Sequence, residues 1–333
     1  MGRQAADTGA LRAAGDSTSA AGEWRSRARD FAPLATLVAL TIAVAAFSPS
    51  FIQPRSLLVL ADAGAPLLVL AIGQTAIILM GCIDLSLTAI AAMSSIVAAL
   101  LLPQLGGWAV PVGILAGAAG GLINGLIYTR ARIPSFIATL GTLGLWTGVS
   151  LSITNAQPVY LGMETGVFDW IVGSSFGFPN TAWIALATLL ASFVILRYTS
   201  LGRYIYAIGV GEAATWLSGV PVDRYKVLAF TLAGSCAGLA GIELSAQLYA
   251  GGPDIARNLL LPAVAAVIVG GTAITGGIGG VMRTLVGSLI IVVARIGMDA
   301  AGVDIFAQQL VYGAIVIVAV ALTIDRSKVL VIK

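Results

Sequence analysis

Residues 85–129 decide the fold class of this chain and read LSLTAIAAMSSIVAALLLPQLGGWAVPVGILAGAAGGLINGLIYT. They contain no Asp, Glu, Lys or Arg. The hydrocarbon core of a bilayer is about 30 Å thick, and roughly 20 apolar helical residues cross it. This stretch is therefore long enough for two successive crossings, and it predicts an integral membrane protein.

The rest of the chain has the same character. Hydrophobic residues make up 58% of the 333 residues, charged residues 10%, and the mean hydropathy is +0.98, which excludes an ordinary soluble protein. Few aromatic residues and 40 glycines favour helices packed through small faces over a barrel of alternating polarity. The sequence predicts an all-α, polytopic transmembrane bundle of about ten helices, with spans at 31–49, 57–80, 85–103, 108–128, 135–154, 182–199, 227–249, 259–275, 279–298 and 305–324.

The basic residues predict how this bundle is oriented. Arg25, Arg27 and Arg29 directly precede the first span, and the positive-inside rule places such residues in the cytoplasm. Further basic clusters after the fourth, sixth and tenth spans fall on the same side, while the loop 155–181 carries no Lys or Arg. Both termini are therefore expected in the cytoplasm.

The predicted organisation has three parts: a disordered cytoplasmic tail over 1–30, a transmembrane domain over 31–325, and a cytoplasmic tail over 326–333. Within the domain, segment 200–225 is a long cytoplasmic loop that is expected to contain a short amphipathic helix near 207–217. The eighth span is the weakest because glycines interrupt its far end, and a short helix that turns back is the alternative.

Residue types needed for most enzymatic and metal chemistry are missing. Histidine is absent, and none of the three lysines follows a glycine-rich phosphate loop, so this chain is not expected to hydrolyse ATP by itself. Cys82 and Cys236 lie in apolar surroundings without CxxC spacing. The net charge of +3 comes mostly from arginines near segment ends and indicates orientation. We expect no catalytic residue, metal, cofactor or nucleic-acid partner.

Ionisable side chains at membrane depth are functional candidates because each costs about 3 kcal/mol or more at the centre. Asp62, Glu243 and Arg295 lie within the second, seventh and ninth spans. For the two acids the alternative is a wetted interface position, and for the arginine it is snorkelling to the surface or pairing with Asp299. Asp84 lies between two spans, where capping of the next helix alone could explain a carboxylate.

Neutral polar side chains on the glycine-rich helices form a second set of candidates. They could offer hydrogen bonds to a hydroxylated solute without the cost of a buried charge. Hydrogen bonding between helices is the alternative for each of them, since polar groups in membrane bundles routinely form such bonds. The set consists of Gln74, Ser86, Asn124, Thr142 and Gln247.

Four segments follow one another along the chain in a recognisable order. They are Gly81-Cys-Ile-Asp-Leu-Ser86; Gly121-Leu-Ile-Asn-Gly125 with Ile133-Pro-Ser-Phe-Ile-Ala-Thr-Leu-Gly-Thr142; Gly202-Arg-Tyr-Ile-Tyr-Ala-Ile-Gly209 with Glu212-Ala-Ala214 and Leu217-Ser-Gly-Val220; and Gly270-Gly-Thr with Gly276-Gly277. Each is weak alone. Together they resemble the membrane (permease) subunits of bacterial ATP-binding-cassette sugar importers of the ribose/xylose/galactoside type.

The resemblance implies a multi-pass permease of the bacterial inner membrane that forms the pathway for a small hydroxylated solute, such as a monosaccharide. It implies a homodimer or paralogous heterodimer in membrane lipid, cytoplasmic ATP-binding-cassette subunits that hydrolyse the ATP, and a periplasmic or lipid-anchored solute-binding protein. Segment 200–225 would be the loop that couples to the ATPase, through Arg203, Tyr206, Gly209, Glu212, Ala213, Ala214, Ser218 and Gly219.

An ion-coupled secondary transporter is the alternative function. Asp62 and Glu243 would then be proton or sodium sites. Segment 200–225 distinguishes the two functions, because a transporter that works alone has no need of a long cytoplasmic docking loop.

Overall fold

A computed structural model of the chain describes residues 31–162 and 165–323, so the tails predicted at 1–30 and 326–333 lie outside the described residues. The described residues are mostly helical. The α-helices are α1 (Phe31–Phe47), α2 (Pro54–Ile78), α3 (Leu87–Leu105), α4 (Ala109–Ala131), α5 (Ser135–Thr154), α6 (Gly166–Val172), α7 (Asn180–Tyr198), α8 (Ser200–Val210), α9 (Glu212–Leu217), α10 (Val222–Leu248), α11 (Leu260–Val269), α12 (Val281–Ala300) and α13 (Ile305–Thr323).

Short strands occur in the connections that follow α5, α6 and α10. Strand β1 (Val159–Tyr160) pairs antiparallel with β4 (Ala250–Gly251), and β2 (Ser174–Ser175) pairs antiparallel with β3 (Phe178–Pro179). Each strand has two residues, and the described parts of the chain contain no other strands. The predicted all-α fold class is therefore confirmed.

The predicted spans correspond to helices of the structure. Helices α2, α5, α7, α10 and α12 are each long and apolar enough to cross a membrane. Helices α3 and α4 form one apolar stretch of 45 residues, interrupted by a single 3-10 turn at Gly106–Trp108. This is the stretch from which two crossings are predicted. With the shorter apolar helices α1, α11 and α13, the bundle of about ten helices is confirmed.

The eighth predicted span is wrong in its extent, because α11 ends at Val269 and not at 275. A glycine-rich turn follows, in which Gly276 and Gly277 have φ angles of 88° and 76°. Residues with a Cβ rarely adopt such angles, so this turn depends on glycine. The chain then enters α12, and α11 is a short helix of 10 residues, as the alternative expects, while its turning back stays a prediction.

Segment 200–225 also differs from its prediction. The short helix expected near 207–217 is found only over part of that range, as α9, because Gly211 adopts an extended conformation (φ −177°, ψ 99°) and separates α8 from α9. Glycine is a poor helix former, since a helix takes away more backbone freedom from it than from other residues. Helix α10 then begins at Val222, earlier than the predicted 227.

Helix α10 lies at the centre of the bundle and packs against α4, α2 and α3. A Cβ added at Gly117 or Gly121 of α4, or at Gly234 of α10, would overlap the backbone of the opposing helix. Close approach of this kind increases van der Waals contact, which drives helix association in lipid where the hydrophobic effect between helices is lost. The polar side chains of α4 and α10 are therefore held on a closely packed backbone.

Candidate functional site

The turn between α2 and α3 contains a buried polar cluster. Asp84 Oδ1 accepts hydrogen bonds from the backbone N–H and the hydroxyl of Ser86, each at 2.7 Å. The Asn124 side-chain amide donates to the Ser86 hydroxyl at 2.6 Å and to Asp84 Oδ2 at 3.4 Å. Trp146 donates its indole N–H to Asn124 Oδ1 at 3.2 Å. Side chains from α4 and α5 are thus joined to this turn, and all of them are buried.

The Asp84 carboxyl lies in a dry environment outside the spanning helices. Burial raises its pKa, and the hydrogen bonds from Ser86 and Asn124 oppose that rise because they stabilise the charged form. Ser86 directly precedes α3, so the bond from its N–H to Asp84 matches the helix-capping alternative. The polar groups of this cluster form hydrogen bonds with one another, which agrees with the alternative that such residues bond between helices. A direct contact between this cluster and a solute stays a prediction.

Helix α5 contributes a polar face to the same turn. The backbone N–H of Ile83 donates to the Ser135 hydroxyl at 3.2 Å, and that of Leu85 donates to the Thr139 hydroxyl at 3.1 Å. Thr142 is buried one turn further along, and its hydroxyl donates to the Thr139 carbonyl at 3.3 Å.

The sequence analysis missed three members of this face, Ser135, Thr139 and Trp146. With Thr142 they follow helical spacing and lie on one side of α5. A search for polar residues at that spacing, rather than for individual polar residues, would have found Ser135 and Thr139, but not Trp146.

A second polar group joins α2, α7 and α10 near the start of α2. Pro66 lies inside α2 and has no N–H to donate to the carbonyl four residues earlier, which is that of Asp62. Gln247 of α10 donates its Nε2 to this carbonyl at 2.9 Å. The Asp62 carboxylate accepts a hydrogen bond from the Thr181 hydroxyl at 2.5 Å. The structure therefore brings two predicted residues, Asp62 and Gln247, into contact, and it adds Thr181.

Glu243 lies one turn before Gln247 on α10 and is fully buried. Neither of its carboxylate oxygens has a hydrogen-bond partner among residues 31–162 and 165–323. A wetted interface position, the alternative considered for both acids, does not describe Glu243, whereas Asp62 is half-buried.

Two predicted residues make no hydrogen bond to either group within the described ranges. Gln74 is buried in α2, and its Nε2 has no partner there. Arg295 is exposed on α12, as the snorkelling alternative expects. The Asp299 carboxylate accepts a hydrogen bond from Gln308 Nε2 at 2.6 Å. The partner of Asp299 is therefore Gln308 rather than Arg295, the partner that the pairing alternative suggested.

Segment 200–225 exposes most of its predicted docking residues. Tyr206 and Gly209 are half-buried, while Arg203, Glu212, Ala213, Ala214, Ser218 and Gly219 are exposed. Helix α9 also exposes Trp216 and Leu217, at 67% and 77% of their surface. Large apolar side chains that project together from a surface outside the spanning helices are typical of a protein interface.

Helix α8 is anchored to the bundle at a junction of glycines. Gly209 lies so close to the Leu79 carbonyl and to the backbone of Gly276 and Gly277 that there is no room for a Cβ. The Gly277 N–H donates to the same Leu79 carbonyl at 2.9 Å. Tyr206 donates its hydroxyl to the Gly279 carbonyl at 3.0 Å. Burial raises the pKa of this hydroxyl, which favours the protonated form that donates.

Helix α9 is tied to α10 by an ion pair between Glu212 Oε1 and Lys226 Nζ at 2.6 Å. The lysine side chain is only 7% exposed, and its ammonium group lies 4.7 Å from the centre of the Tyr128 ring on α4. The Tyr128 hydroxyl in turn accepts a hydrogen bond from the Cys82 thiol at 3.4 Å. A series of contacts therefore connects α9 with the turn that holds Asp84.

Known proteins match this chain along most of its length. A family of permease components, described as those of the branched-chain amino acid transport system, matches residues 56–320. The chain belongs to this family. The permease is 35% identical to the ribose import permease protein of Escherichia coli (strain K12) over 300 residues, which cover 89% of this chain and 93% of that relative.

Two further relatives come from other bacteria. The ribose import permease protein of Bacillus subtilis (strain 168) is 38% identical over 302 residues, which cover 89% of this chain and 92% of the relative. The L-arabinose ABC transporter permease protein of Azospirillum brasilense is 33% identical over 279 residues, which cover 82% and 80%.

Family membership confirms the resemblance carried by the four sequence segments. The permease is the membrane subunit of an ATP-binding-cassette transporter of the bacterial inner membrane, and it is not itself an enzyme. ATP hydrolysis belongs to a separate subunit, and a solute-binding protein completes the system. Membership of this family favours ATP-driven transport over the alternative of an ion-coupled secondary transporter.

Proposed function

We propose that the permease forms the import pathway for a neutral monosaccharide. The observation that carries the proposal is that its relatives over four fifths or more of this chain include permeases named for ribose and L-arabinose. The Asp84 cluster supports it, because amides and hydroxyls with one tryptophan indole are groups that recognise sugar hydroxyls in proteins. An amino acid, which the family description names, carries two opposite charges and would need charged partners.

The pathway is proposed to lie between two subunits that meet along α5. Of the long apolar helices, α5 is the least buried within this subunit: only 28% of its most apolar 18-residue stretch is buried. Gly141, Gly144 and Gly148 on this helix face open space, and small residues let helices approach closely in lipid. The second subunit would be a second copy or a close paralogue. The opposite face of α5 carries Thr142 and holds the Asp84 turn, so the cluster would fix the wall of the pathway.

The ATPase is proposed to dock on α9. The exposed residues Ala213 and Ala214 give this helix a small, flat side, and Trp216 and Leu217 add apolar area next to it. Such a patch suits a cleft on another protein. The solute-binding protein would then meet the opposite side of the bundle, where the β1–β4 and β2–β3 pairs lie.

Transport in proteoliposomes tests the solute class and the energy source together. The permease is reconstituted with its ATPase and its solute-binding protein, and uptake of radiolabelled ribose, L-arabinose and leucine is compared. We expect sugar uptake that requires ATP and is unaffected by ionophores. Uptake of leucine alone would refute the sugar proposal, and sugar uptake by the permease without ATPase under an ion gradient would refute ATP-driven transport.

Two pairs of variants test the proposed surfaces. Gly144→Leu should weaken subunit association in light-scattering measurements and lower uptake, whereas Leu190→Trp at an exposed position of α7 should do neither. Trp216→Ala should lower the amount of ATPase that co-purifies, whereas Trp170→Ala, an exposed tryptophan on α6, should not. Equal effects of the two members of a pair would contradict the assigned surface.

A further inference from the structure

Glu243 is a buried acid that the proposed transport pathway does not use. Its exposure is 0%, and neither carboxylate oxygen has a hydrogen-bond partner in the described ranges. The ion pairs of those ranges, Lys226–Glu212 and Arg257–Asp254, do not include it. An ionised carboxylate without compensation is among the most costly groups to bury, so this position calls for either a bound proton or a positive charge.

The surroundings of Glu243 add acceptors. Glu243 and Gln247 are four residues apart and share a face of α10, and Gln247 contacts the Asp62 carbonyl that Pro66 leaves free. This register directs Glu243 toward the break in α2. The Asp62 carboxylate is near enough to repel Glu243 electrostatically, so a charge of the same sign acts on this acid.

A third unpartnered oxygen lies in the same part of the bundle. Asn180 precedes Thr181, which contacts Asp62, and its Oδ1 is buried without a partner among the described residues. The orientation of this amide is set, because Nδ2 donates to the Trp170 carbonyl at 2.6 Å. One proton can serve only one of these oxygens. A metal cation can accept several oxygen ligands at once.

We propose that the permease binds a hard cation, sodium or calcium, between the carboxylates of Glu243 and Asp62 beside the Pro66 break in α2. The available donors are oxygens, which suit these ions. In the described residues no group of three or more Cys, Asp or Glu side chains could hold a metal ion, so the two carboxylates would need backbone, amide or hydroxyl oxygens as further ligands. The Asp62 carbonyl accepts one hydrogen bond from Gln247 and keeps a second lone pair, and carbonyls at breaks in membrane helices are a known type of cation ligand.

The bound cation would neutralise the two acids and join α2 to α10, while Thr181 joins α7 to the same group. This site is a structural one in a transporter that is driven by ATP. It does not depend on which solute is carried, and it is tested without measuring transport.

Thermal unfolding of the purified full-length permease in detergent tests the site. Melting temperatures are measured in sodium chloride, calcium chloride and choline chloride at equal ionic strength. The permease is expected to melt about 3 °C or more higher in sodium or calcium than in choline, because the cation binds only the folded state. The salt that gives the rise identifies the ion.

Variants assign the effect to this site. Glu243→Gln and Asp62→Asn should abolish the rise, whereas Asp254→Asn, which alters an exposed acid, should retain it in full. If Glu243→Gln does not fold, equilibrium dialysis of radioactive sodium and calcium against the wild type, Asp62→Asn and Asp254→Asn replaces it. The proposal is overturned if neither cation affects the wild type, which would mean a protonated Glu243, or if the variants respond as the wild type does.

Discussion

Glu212→Gln and Lys226→Met both remove the ion pair between α9 and α10, but we expect the first to destabilise the permease more. The two partners differ in their exposure: Lys226 is 7% exposed and Glu212 is 53% exposed. After Lys226→Met, the glutamate remains largely in water, and the methionine fills the space of the lysine stem. After Glu212→Gln, the buried ammonium group keeps the Tyr128 ring at 4.7 Å but has lost its counter-charge.

The magnitude follows from that asymmetry. Removal of one partner from a fully buried pair costs about 3–5 kcal/mol, whereas a fully exposed pair contributes about 0–1 kcal/mol. This pair is buried on one side only, and the cation–π contact with Tyr128 compensates part of the loss by about 1–2 kcal/mol. Lys226→Met also loses the contact with Tyr128, but it removes the cost of burying an ammonium group, which offsets that loss. We therefore expect a loss of about 1–2 kcal/mol of unfolding free energy for Glu212→Gln and about 0.5 kcal/mol or less for Lys226→Met.

Chemical unfolding of the purified permease in detergent measures both losses. The double variant should behave like Lys226→Met alone, because the glutamine no longer faces a buried charge. Asp254→Asn is the matched control, since its pair with Arg257 spans 3.6 Å between exposed side chains and should change the unfolding free energy by less than about 0.5 kcal/mol. If Glu212→Gln is no more destabilising than Lys226→Met, the burial argument is wrong.

The remaining predictions concern the glycine junction and the Asp84 cluster. Gly209→Ala should prevent stable folding or lower the melting temperature sharply, because a Cβ has no room beside the Leu79 carbonyl, while Gly313→Ala on α13 faces open space and should not lower the melting temperature. Trp146→Phe removes the donor to Asn124 Oδ1 and should cost about 1–3 kcal/mol of unfolding free energy, as measured by chemical unfolding; no measurable loss would show that water or another donor replaces the indole.

The fold could be predicted well because lipid restricts the possible structures. Backbone polar groups in a bilayer must bond internally, so long apolar windows become helices, and the window at 85–129 does give α3 and α4. The helix boundaries that were predicted wrongly lie at glycines. At 207–217 and at 270–280 the same residue type that permits close packing also ends helices, and composition alone does not say which effect prevails.

The candidate sites could be predicted only as isolated residues. Asp84, Ser86 and Asn124 stand out because they are polar in apolar surroundings, whereas Trp146 resembles an ordinary apolar residue until its N–H is seen to donate. The contact between Gln247 and Asp62 spans 185 positions. It depends on the packing of α10 against α2, which one sequence does not specify. Lys226 was interpreted only as a basic residue that indicates orientation, because its burial is a tertiary property.

The stretch from Leu79 to Ser86 connects the proposed coupling segment, 200–225, with the proposed pathway. At one end, Gly209 of α8 is packed against the Leu79 carbonyl without space for a Cβ. At the other end, hydroxyls of Ser135 and Thr139 on α5 accept hydrogen bonds from the backbone of the same stretch. Closely packed interiors do not deform continuously, so they shift as units between discrete arrangements. A displacement of α8 by the ATPase would therefore have to move this stretch, and its bonds to α5 would carry the movement to the helix along which the two subunits are proposed to meet.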